Sequence, residues 1–320
     1  MSEAQMEQWQ VEGQQYLQTC RYADALAVYE QAIVSDPKQA AAWDGKTEAL
    51  FYLTHYQEAL EATESALALN QTDVSALSNK GALLLALKRS PEEALTWVER
   101  ALALDPKSID AHVNRCNILG QLKRYQEALA EAEQAVSMAP TSAPAYVTRG
   151  TILSSLKRLN EALAAYEIAL QLAPDLVPVY LSKATVLFLL KRYEEALTTA
   201  EQAIERNPSL AAASLCKARP LLRLKRYEEA LAAYEQVIQL DPTEPGGYFG
   251  KGSALHHLQR YAQALLAYEQ AAQRNPESYL VPTAQFVTLL RLHRYGQALR
   301  TLQRACQRAW KATAPVKKVR

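Results

Sequence analysis

The chain has 320 residues and a nearly balanced charge, with 35 lysines and arginines against 34 aspartates and glutamates. Its longest apolar runs, such as residues 184–190, are much shorter than the roughly 18 residues of a membrane-spanning helix, so we expect no membrane association. The N-terminal sequence MSEAQMEQWQ has neither a basic region nor an apolar stretch, which predicts no signal peptide. The four cysteines form no CxxC pair, and these features together favour a reducing, cytoplasmic location.

A proline recurs every 34 residues through most of the chain. Each of these prolines closes a similar stretch, for example LKRYEEALAAYEQVIQLDP from Leu224 and LKRYEEALTTAEQAIERNP from Leu190. A fixed period of this length is typical of repeat proteins, in which each repeat packs only on its neighbours and no single large core is needed. The evenly spaced prolines are Pro106, Pro140, Pro174, Pro208, Pro242 and Pro276.

Counting from these prolines divides residues 6–312 into nine repeats, with an N-terminal extension at 1–5 and a basic tail at 313–320. Eight repeats have 34 residues, and the third has 35 because Ser90-Pro91 replaces a single tyrosine. Within a repeat, apolar and alanine residues at helical spacing predict two helices, each with one buried stripe. The predicted repeats are 6–39, 40–73, 74–108, 109–142, 143–176, 177–210, 211–244, 245–278 and 279–312.

Most repeats have a large residue early in the first helix, a small residue four places later, and a closing proline. All nine have an Ala-Leu pair in the second helix. This pattern resembles that of the tetratricopeptide repeat family. The resemblance implies an all-α fold, a right-handed superhelical solenoid of antiparallel helix pairs, that serves as a non-enzymatic scaffold or adaptor for a protein partner. The alanines of the pairs are Ala25, Ala59, Ala94, Ala128, Ala162, Ala196, Ala230, Ala264 and Ala298.

Two repeats depart from the pattern. In the ninth, Pro282 and Phe286 stand where a large and a small residue belong, so we expect its first helix to be short or repacked. In the seventh, Pro220 falls inside the first helix, where its ring is expected to clash with the carbonyl of Cys216 and bend the helix. Two interpretations stay open, a tolerated kink or a freed carbonyl that lines a binding groove.

No residues have the spacing of a catalytic or metal-binding motif. The five histidines form no HExxH motif or zinc-type cluster, and the adjacent His256 and His257 point about 100° apart on one helix. Glutamate pairs such as Glu194-Glu195 are expected to start helices and pairs such as Lys191-Arg192 to end them, because each charge then offsets the helix dipole. We therefore expect no enzyme activity, no metal and no cofactor.

In the tetratricopeptide repeat family, the first helices line a concave face that binds an extended peptide or a helix. Carried over to this chain, that face is polar in repeats two to five. Asn79 and Asn114 match the position that some family members use to hold a peptide backbone, because an amide both donates and accepts hydrogen bonds. Other polar residues on this face are Asp44, Glu48, Asp110 and Asn117.

In repeats six to nine the same face is apolar and positively charged, which favours a short acidic-hydrophobic peptide or an amphipathic helix as partner. The alternative is that the superhelical twist buries several of these residues against adjacent helices. The groove residues predicted here are Leu181, Phe188, Leu215, Arg219, Leu222, Arg223, Phe249, His257 and Arg291.

The two ends of the chain differ in charge. Residues 1–50 contain eight acidic and three basic residues, whereas nine basic and no acidic residues follow Glu277. This asymmetry leaves open a charge-driven, head-to-tail self-assembly or a nucleic-acid-associated role. No nucleic-acid-binding motif accompanies the charges, and a solvated tail is the simplest alternative. The predicted basic end comprises Arg300, Arg304, Arg308, Lys317, Lys318 and Arg320.

Overall fold

The computed structural model describes residues 3–19 and 21–313, which form eighteen α-helices, α1–α18, and no strand. The expected all-α solenoid of helix pairs is thus confirmed. Contacts between residues divide the chain into an N-terminal unit, residues 1–172, and a C-terminal unit, residues 173–320. None of the described helices is both long and apolar enough to cross a lipid bilayer.

The N-terminal unit contains five helix pairs. The first helices of successive pairs lie side by side, and each second helix packs on the first helices before and after it. The helices are α1 (Glu3–Gln18), α2 (Tyr22–Ser35), α3 (Ala40–Tyr52), α4 (Tyr56–Leu69), α5 (Val74–Ala86), α6 (Pro91–Leu104), α7 (Ile109–Gln121), α8 (Tyr125–Met138), α9 (Ala143–Ser155) and α10 (Leu159–Leu172).

The C-terminal unit repeats this arrangement in four pairs. In its first two pairs, the first helix continues without interruption past a proline. These prolines are Pro178 near the start of α11 and Pro220 inside α13. The helices are α11 (Val177–Leu189), α12 (Tyr193–Arg206), α13 (Ala211–Arg223), α14 (Tyr227–Leu240), α15 (Pro245–His257), α16 (Tyr261–Arg274), α17 (Leu280–Arg291) and α18 (Tyr295–Thr313).

The alanine of every Ala-Leu pair lies where two helices approach closely. Eight of the nine are 0% exposed and Ala298 is 1% exposed, so a larger side chain has no space at this position. The small residue of the first helix has the same role. A Cβ atom added to Gly252 would lie 2.6 Å from the ring of Tyr268, and one added to Gly150 would lie 2.7 Å from the ring of Tyr166.

The turn inside the sixth repeat differs from the dipole-based expectation. Lys191 is not in the helix but adopts a left-handed conformation with φ of 63°, and the N–H of Arg192 donates to the carbonyl of Leu187 at 2.9 Å. This is the Schellman arrangement that ends a helix, usually with glycine in the left-handed position. Arg192 then precedes α12, where its guanidinium binds Glu195 at 2.6 Å. The Lys-Arg pair therefore lies between the two helices, with Lys191 just after the end of α11 and Arg192 at the start of α12 rather than at the end of the first helix as expected.

The ninth repeat shows the expected shortening. Helix α17 has 12 residues, against 13 in α3, α5, α7, α9, α11, α13 and α15. Pro282 is buried in its first turn, and Phe286 packs against a small cluster formed by Leu265, Leu289 and Ala298. The bounds of the nine repeats stay a prediction, and α1 begins at Glu3, within the segment expected to precede the first repeat.

Candidate binding cavity in the N-terminal unit

The first helices of the N-terminal unit line a cavity of about 990 Å³. Small residues of this face, such as Ala41, Ser75 and Ala82, line it, whereas the ring of Tyr29 from α2 occupies the space beside Gly45. The other lining residues are Gln10, Val11, Gln14, Gln15, Tyr29, Asp44, Thr47, Glu48, Phe51, Tyr52, Asn79, Ser108, Asp110, Val113, Asn114 and Pro144.

Three carboxylates line this cavity, and no lysine, arginine or histidine is among its described lining residues. Asp44 and Glu48 are one helical turn apart on α3, and Asp110 lies in the first turn of α7. Burial, with a smaller contribution from Asp73, raises the pKa of Asp44 to about 7. Burial and then the charge of Asp110 also raise the pKa of Glu48. The cavity is therefore acidic.

One oxygen of Asp44 lacks a partner. Its Oδ1 atom is buried and accepts no hydrogen bond from any described residue. The lysines of α3 and α5 are engaged elsewhere, since Lys46 binds Glu30 at 2.9 Å and Lys80 binds Glu64 at 3.0 Å. A buried polar atom without a partner costs free energy, so this carboxylate is a position where a bound molecule could donate.

The predicted asparagines are placed differently from one another. Asn79 and Asn114 both line the cavity. The amide of Asn114 donates to Ser78 Oγ at 2.9 Å, whereas none of the described residues hydrogen-bonds to the side chain of Asn79. Asn117 is exposed and is not among the lining residues. Of the three predicted asparagines, only Asn79 therefore lines the cavity without a side-chain hydrogen bond to a described residue.

Aromatic side chains provide the apolar part of the cavity. The ring of Tyr29 is buried between α1 and α3, and Phe51 and Tyr52 lie at the end of α3. Tyr52 stacks on Tyr22 with ring centroids 4.6 Å apart, which fixes its orientation at the cavity edge. Val11 of α1 is 67% exposed. The polar residues of this face were predicted from the sequence. The aromatic residues were missed, because they border one space only when neighbouring helices pack together.

The residues predicted on the C-terminal unit divide into two groups. Arg219, Arg223, His257 and Arg291 are exposed, and His257 stacks on Tyr227 with centroids 4.7 Å apart. The apolar members Leu181, Phe188, Leu215, Leu222 and Phe249 are all half-buried.

Part of this apolar set belongs to the core. Leu215, Leu222 and Phe249 pack against the cluster that contains Tyr234 and Tyr268, as the alternative interpretation held. The thiol of Cys216 is half-buried, and burial raises its pKa. Pro220 is buried as well, and the idea that it frees a carbonyl for the groove stays a prediction.

The basic end is described only in part. Arg300 and Arg304 are exposed and, with Leu266, Leu289 and Thr301, line a second cavity of about 630 Å³ among α16, α17 and α18. The side chain of Arg308 and all of Lys317, Lys318 and Arg320 lie outside the described residues. Within the described part of the chain, no group of three or more His, Cys, Asp or Glu side chains could hold a metal ion.

Two family models match the chain. The tetratricopeptide repeat model matches residues 47–109, 117–177 and 221–279, which is more than half of the sequence. The model described as anaphase-promoting complex, cyclosome, subunit 3 matches residues 155–237. A comparison with curated proteins found no significant match.

Among solved structures, the chain is similar to one in the APC/C hetero-tetramer Cut9-Hcn1, with a TM-score of 0.75 at 14% identity. That match covers 87% of this chain and 55% of the other, so the chain spans about half the length of that relative. It also resembles TTC0263, a thermophilic tetratricopeptide repeat protein of Thermus thermophilus, with a TM-score of 0.52, 22% identity and coverage of 57% and 99%.

A third similar structure is MamA of Desulfovibrio magneticus RS-1, with a TM-score of 0.50, 18% identity and coverage of 54% and 97%. All three identities are low, so these likenesses establish the fold alone. The tetratricopeptide fold generally mediates protein–protein interaction. With its family model, its periodic alanines and its helix pairs in agreement, this chain belongs to the tetratricopeptide repeat family.

Proposed function

We propose that the chain is a non-enzymatic scaffold that binds an extended peptide or a helix of a partner protein in the cavity of the N-terminal unit. The observation that carries this proposal is the cavity of about 990 Å³ lined by the first helices α1, α3, α5 and α7. Packed helices lie about 8–10 Å apart, so this row is roughly 25–30 Å long. An extended peptide of about eight residues, at about 3.3 Å per residue, spans that length.

The lining supports recognition of a peptide rather than of a small apolar ligand. Asn79 offers a free amide that can bind a peptide group as donor and acceptor at once. Phe51, Tyr52 and Val113 provide apolar contacts beside it. A mixture of apolar walls and a few convergent polar groups is typical of binding sites.

Site-directed photo-crosslinking in cells tests the location. A photo-reactive amino acid at Ala82, which lines the cavity, is expected to capture a protein partner, whereas the same amino acid at Ala103, exposed on α6, is expected to capture none. Equal capture from both positions would contradict the proposal. A third position, Leu189, is 47% exposed and reports on the C-terminal unit.

The surface of the C-terminal unit predicted from the sequence is retained as a second proposed site, for an acidic-hydrophobic peptide. Its support is the exposed set of Arg219, Arg223 and Arg291, with the Arg223 guanidinium 6.0 Å from the ring centroid of Phe188. Charge reversal of Arg223 and Arg291 together tests it without disturbing the core, which a change at Leu215 would do. Capture from Leu189 alone, lost on charge reversal, would move the binding site here.

The alternatives of charge-driven self-assembly and nucleic-acid association depend on the basic end. Nuclease treatment and a high-salt wash before the crosslinked products are analysed separate them from peptide binding, because phosphate contacts weaken steeply with salt. Capture from Ala82 that withstands both treatments supports the scaffold function.

A further inference from the structure

The cavity of the N-terminal unit is acidic, although two of the helices that line it also carry lysines. Lys46 lies on α3 and Lys80 on α5, the helices that carry Asp44 and Asn79. Neither lysine lines the cavity. Lys46 binds Glu30, while Lys80 binds Glu64 and lies 4.3 Å from the ring centroid of Trp97. The protein therefore places its own cations on other faces and leaves the cavity acids without a cation among the described lining residues.

The carboxylates are also placed where charge is costly. Asp44 is held in a partly desolvated position, and its Oδ1 atom has no donor among the described residues. Removing water from an ionised carboxylate is unfavourable unless a cation or a hydrogen-bond donor replaces it. A ligand that brings a cation into the cavity supplies both at once, and an ammonium or guanidinium group in a low-dielectric site interacts strongly with a carboxylate.

We propose that this cavity binds an extended segment of a partner protein through its lysine or arginine side chains, with Asp44 and Glu48 as the principal anion pair. This inference rests on the proposed function and specifies the partner. Glu48 follows Asp44 by one turn, and Asp110 faces the same space from α7. The aromatic wall of Phe51 and Tyr52 packs the alkyl part of such a side chain.

Other occupants fit this chemistry less well. An acidic peptide or a nucleic-acid phosphate would bring a negative charge next to three carboxylates, which is unfavourable. The three acids do not form a group that could hold a metal ion, and the described residues contain no such group elsewhere. A wholly apolar peptide could donate a backbone N–H to the Oδ1 atom of Asp44, but it would leave the three carboxylates without a cation.

The test uses the full chain and three fluorescent nine-residue peptides with the same apolar residues, carrying lysine, glutamine or glutamate at three shared positions. Fluorescence anisotropy at pH 8 and low salt measures their binding. We expect the lysine peptide to bind at least about tenfold more tightly than the glutamine peptide, and the glutamate peptide not to bind. Asp44→Asn is expected to weaken the lysine peptide about tenfold or more, and Glu133→Gln, an exposed acid on α8, to leave it unchanged.

A pH series adds a readout that a purely structural role of Asp44 would not give. Affinity for the lysine peptide is expected to rise severalfold between pH 6 and pH 8 and to rise less in Asp44→Asn. The titratable side chains that line the cavity with Asp44 are Tyr29 of α2, Glu48 and Tyr52 of the same helix and Asp110 of α7, and the charge of Asp73 before α5 also acts on Asp44. Burial raises the pKa of Tyr29 to about 12, so it stays neutral in this range, and burial raises the pKa of Glu48, so any change in its charge acts in the same direction as Asp44.

The outcomes separate the two proposals. If lysine and glutamine peptides bind equally and Ala82→Trp blocks both, the cavity binds peptides but the charge preference is overturned. If the lysine peptide does not bind, the charge inference falls, while capture from Ala82 in cells independently decides the scaffold function. If light scattering shows that the chain dimerises and that Asp44→Asn prevents this, the occupant is a second copy and the partner inference is overturned.

Discussion

The hydroxyl of Tyr180 donates to the carbonyl oxygen of Pro174 at 2.9 Å. The tyrosine is the large residue early in the first helix, and the proline closes the preceding repeat, so one hydrogen bond joins two of the residues that define the pattern. The same link, always six residues back, recurs between Trp43 Nε1 and Pro37 at 3.0 Å, His112 Nε2 and Pro106 at 3.0 Å, and Tyr248 and Pro242 at 3.2 Å. The large residue thus anchors the turn between repeats.

Replacing Tyr180 with Phe removes this hydrogen bond and keeps the packing of the ring. We expect a loss of about 1 kcal/mol in the free energy of unfolding, measured by urea denaturation. The loss stays modest because Arg206 Nε also donates to the Pro174 carbonyl, at 3.0 Å. Tyr146→Phe is the matched control, since Tyr146 occupies the same position and its hydroxyl makes no hydrogen bond to a described residue. Equal effects of the two changes would contradict this role of Tyr180.

Asp44→Asn is expected to stabilise the protein in a pH-dependent way. Because the pKa of Asp44 is raised to about 7 in the folded state, folding favours the protonated acid. The penalty for the ionised form is absent below the unfolded-state pKa near 4 and grows as pH rises to about 7. The amide removes it, so the gain in unfolding free energy should be on the order of 1–3 kcal/mol at pH 8 and small at pH 4.

Thermal unfolding at pH 4 and pH 8 measures this difference. A gain in stability together with weaker binding of the lysine peptide would show that the acid serves recognition at the expense of folding. A destabilised Asp44→Asn protein at pH 8 would mean that the carboxylate has a partner within the fold.

Gly252→Ala tests the close approach of α15 to its partner helix. The added Cβ atom would lie 2.6 Å from the ring of Tyr268, so the ring or the helix must move. We expect a net loss of about 1–3 kcal/mol in unfolding free energy, despite the better helix propensity of alanine. Gly296→Ala is the control, because nothing lies within 4 Å of its added Cβ atom, and it should be neutral or slightly stabilising. A neutral Gly252→Ala would show that this contact is loosely packed.

Lys123→Gly tests the left-handed turn between α7 and α8. Lys123 has φ of 60°, a conformation that costs a residue with a Cβ atom about 1 kcal/mol. Glycine is expected to raise the melting temperature by a few degrees, whereas Lys123→Ala, which keeps the Cβ atom, should not. If both changes act alike, the effect comes from the lost lysine charge rather than from the backbone.

Much of the fold could be predicted because it depends on residue patterns within each repeat. The period of the prolines and the Ala-Leu pairs predicts helix pairs that pack on their nearest neighbours. The nine alanines of these pairs, the first of which is Ala25 and the last Ala298, are buried as that prediction requires. The turn was harder to predict. Lysine in a left-handed conformation is uncommon, so nothing in the residue type of Lys191 indicated its positive φ or that Arg192 caps the next helix.

The candidate site was only partly visible. The family resemblance, carried over position by position, placed Asn79, Asn114, Asp44 and Glu48 on one face, and all four line the cavity. Register could not distinguish Leu215, which packs into the core, from Arg219, which stays exposed one turn later. How far each side chain is covered depends on helices from other repeats, which the spacing within one repeat does not describe.

The sequence by itself determined the repeat, its helix pairs and the face on which polar residues gather, because those depend on residues close together in the chain. Only the tertiary structure decided that Asp44 loses its water without gaining a partner and that Tyr29, Phe51 and Tyr52 border the same space. Desolvation depends on which atoms of α1, α5 and α7 surround a carboxylate, and that is a property of packed helices rather than of any one of them.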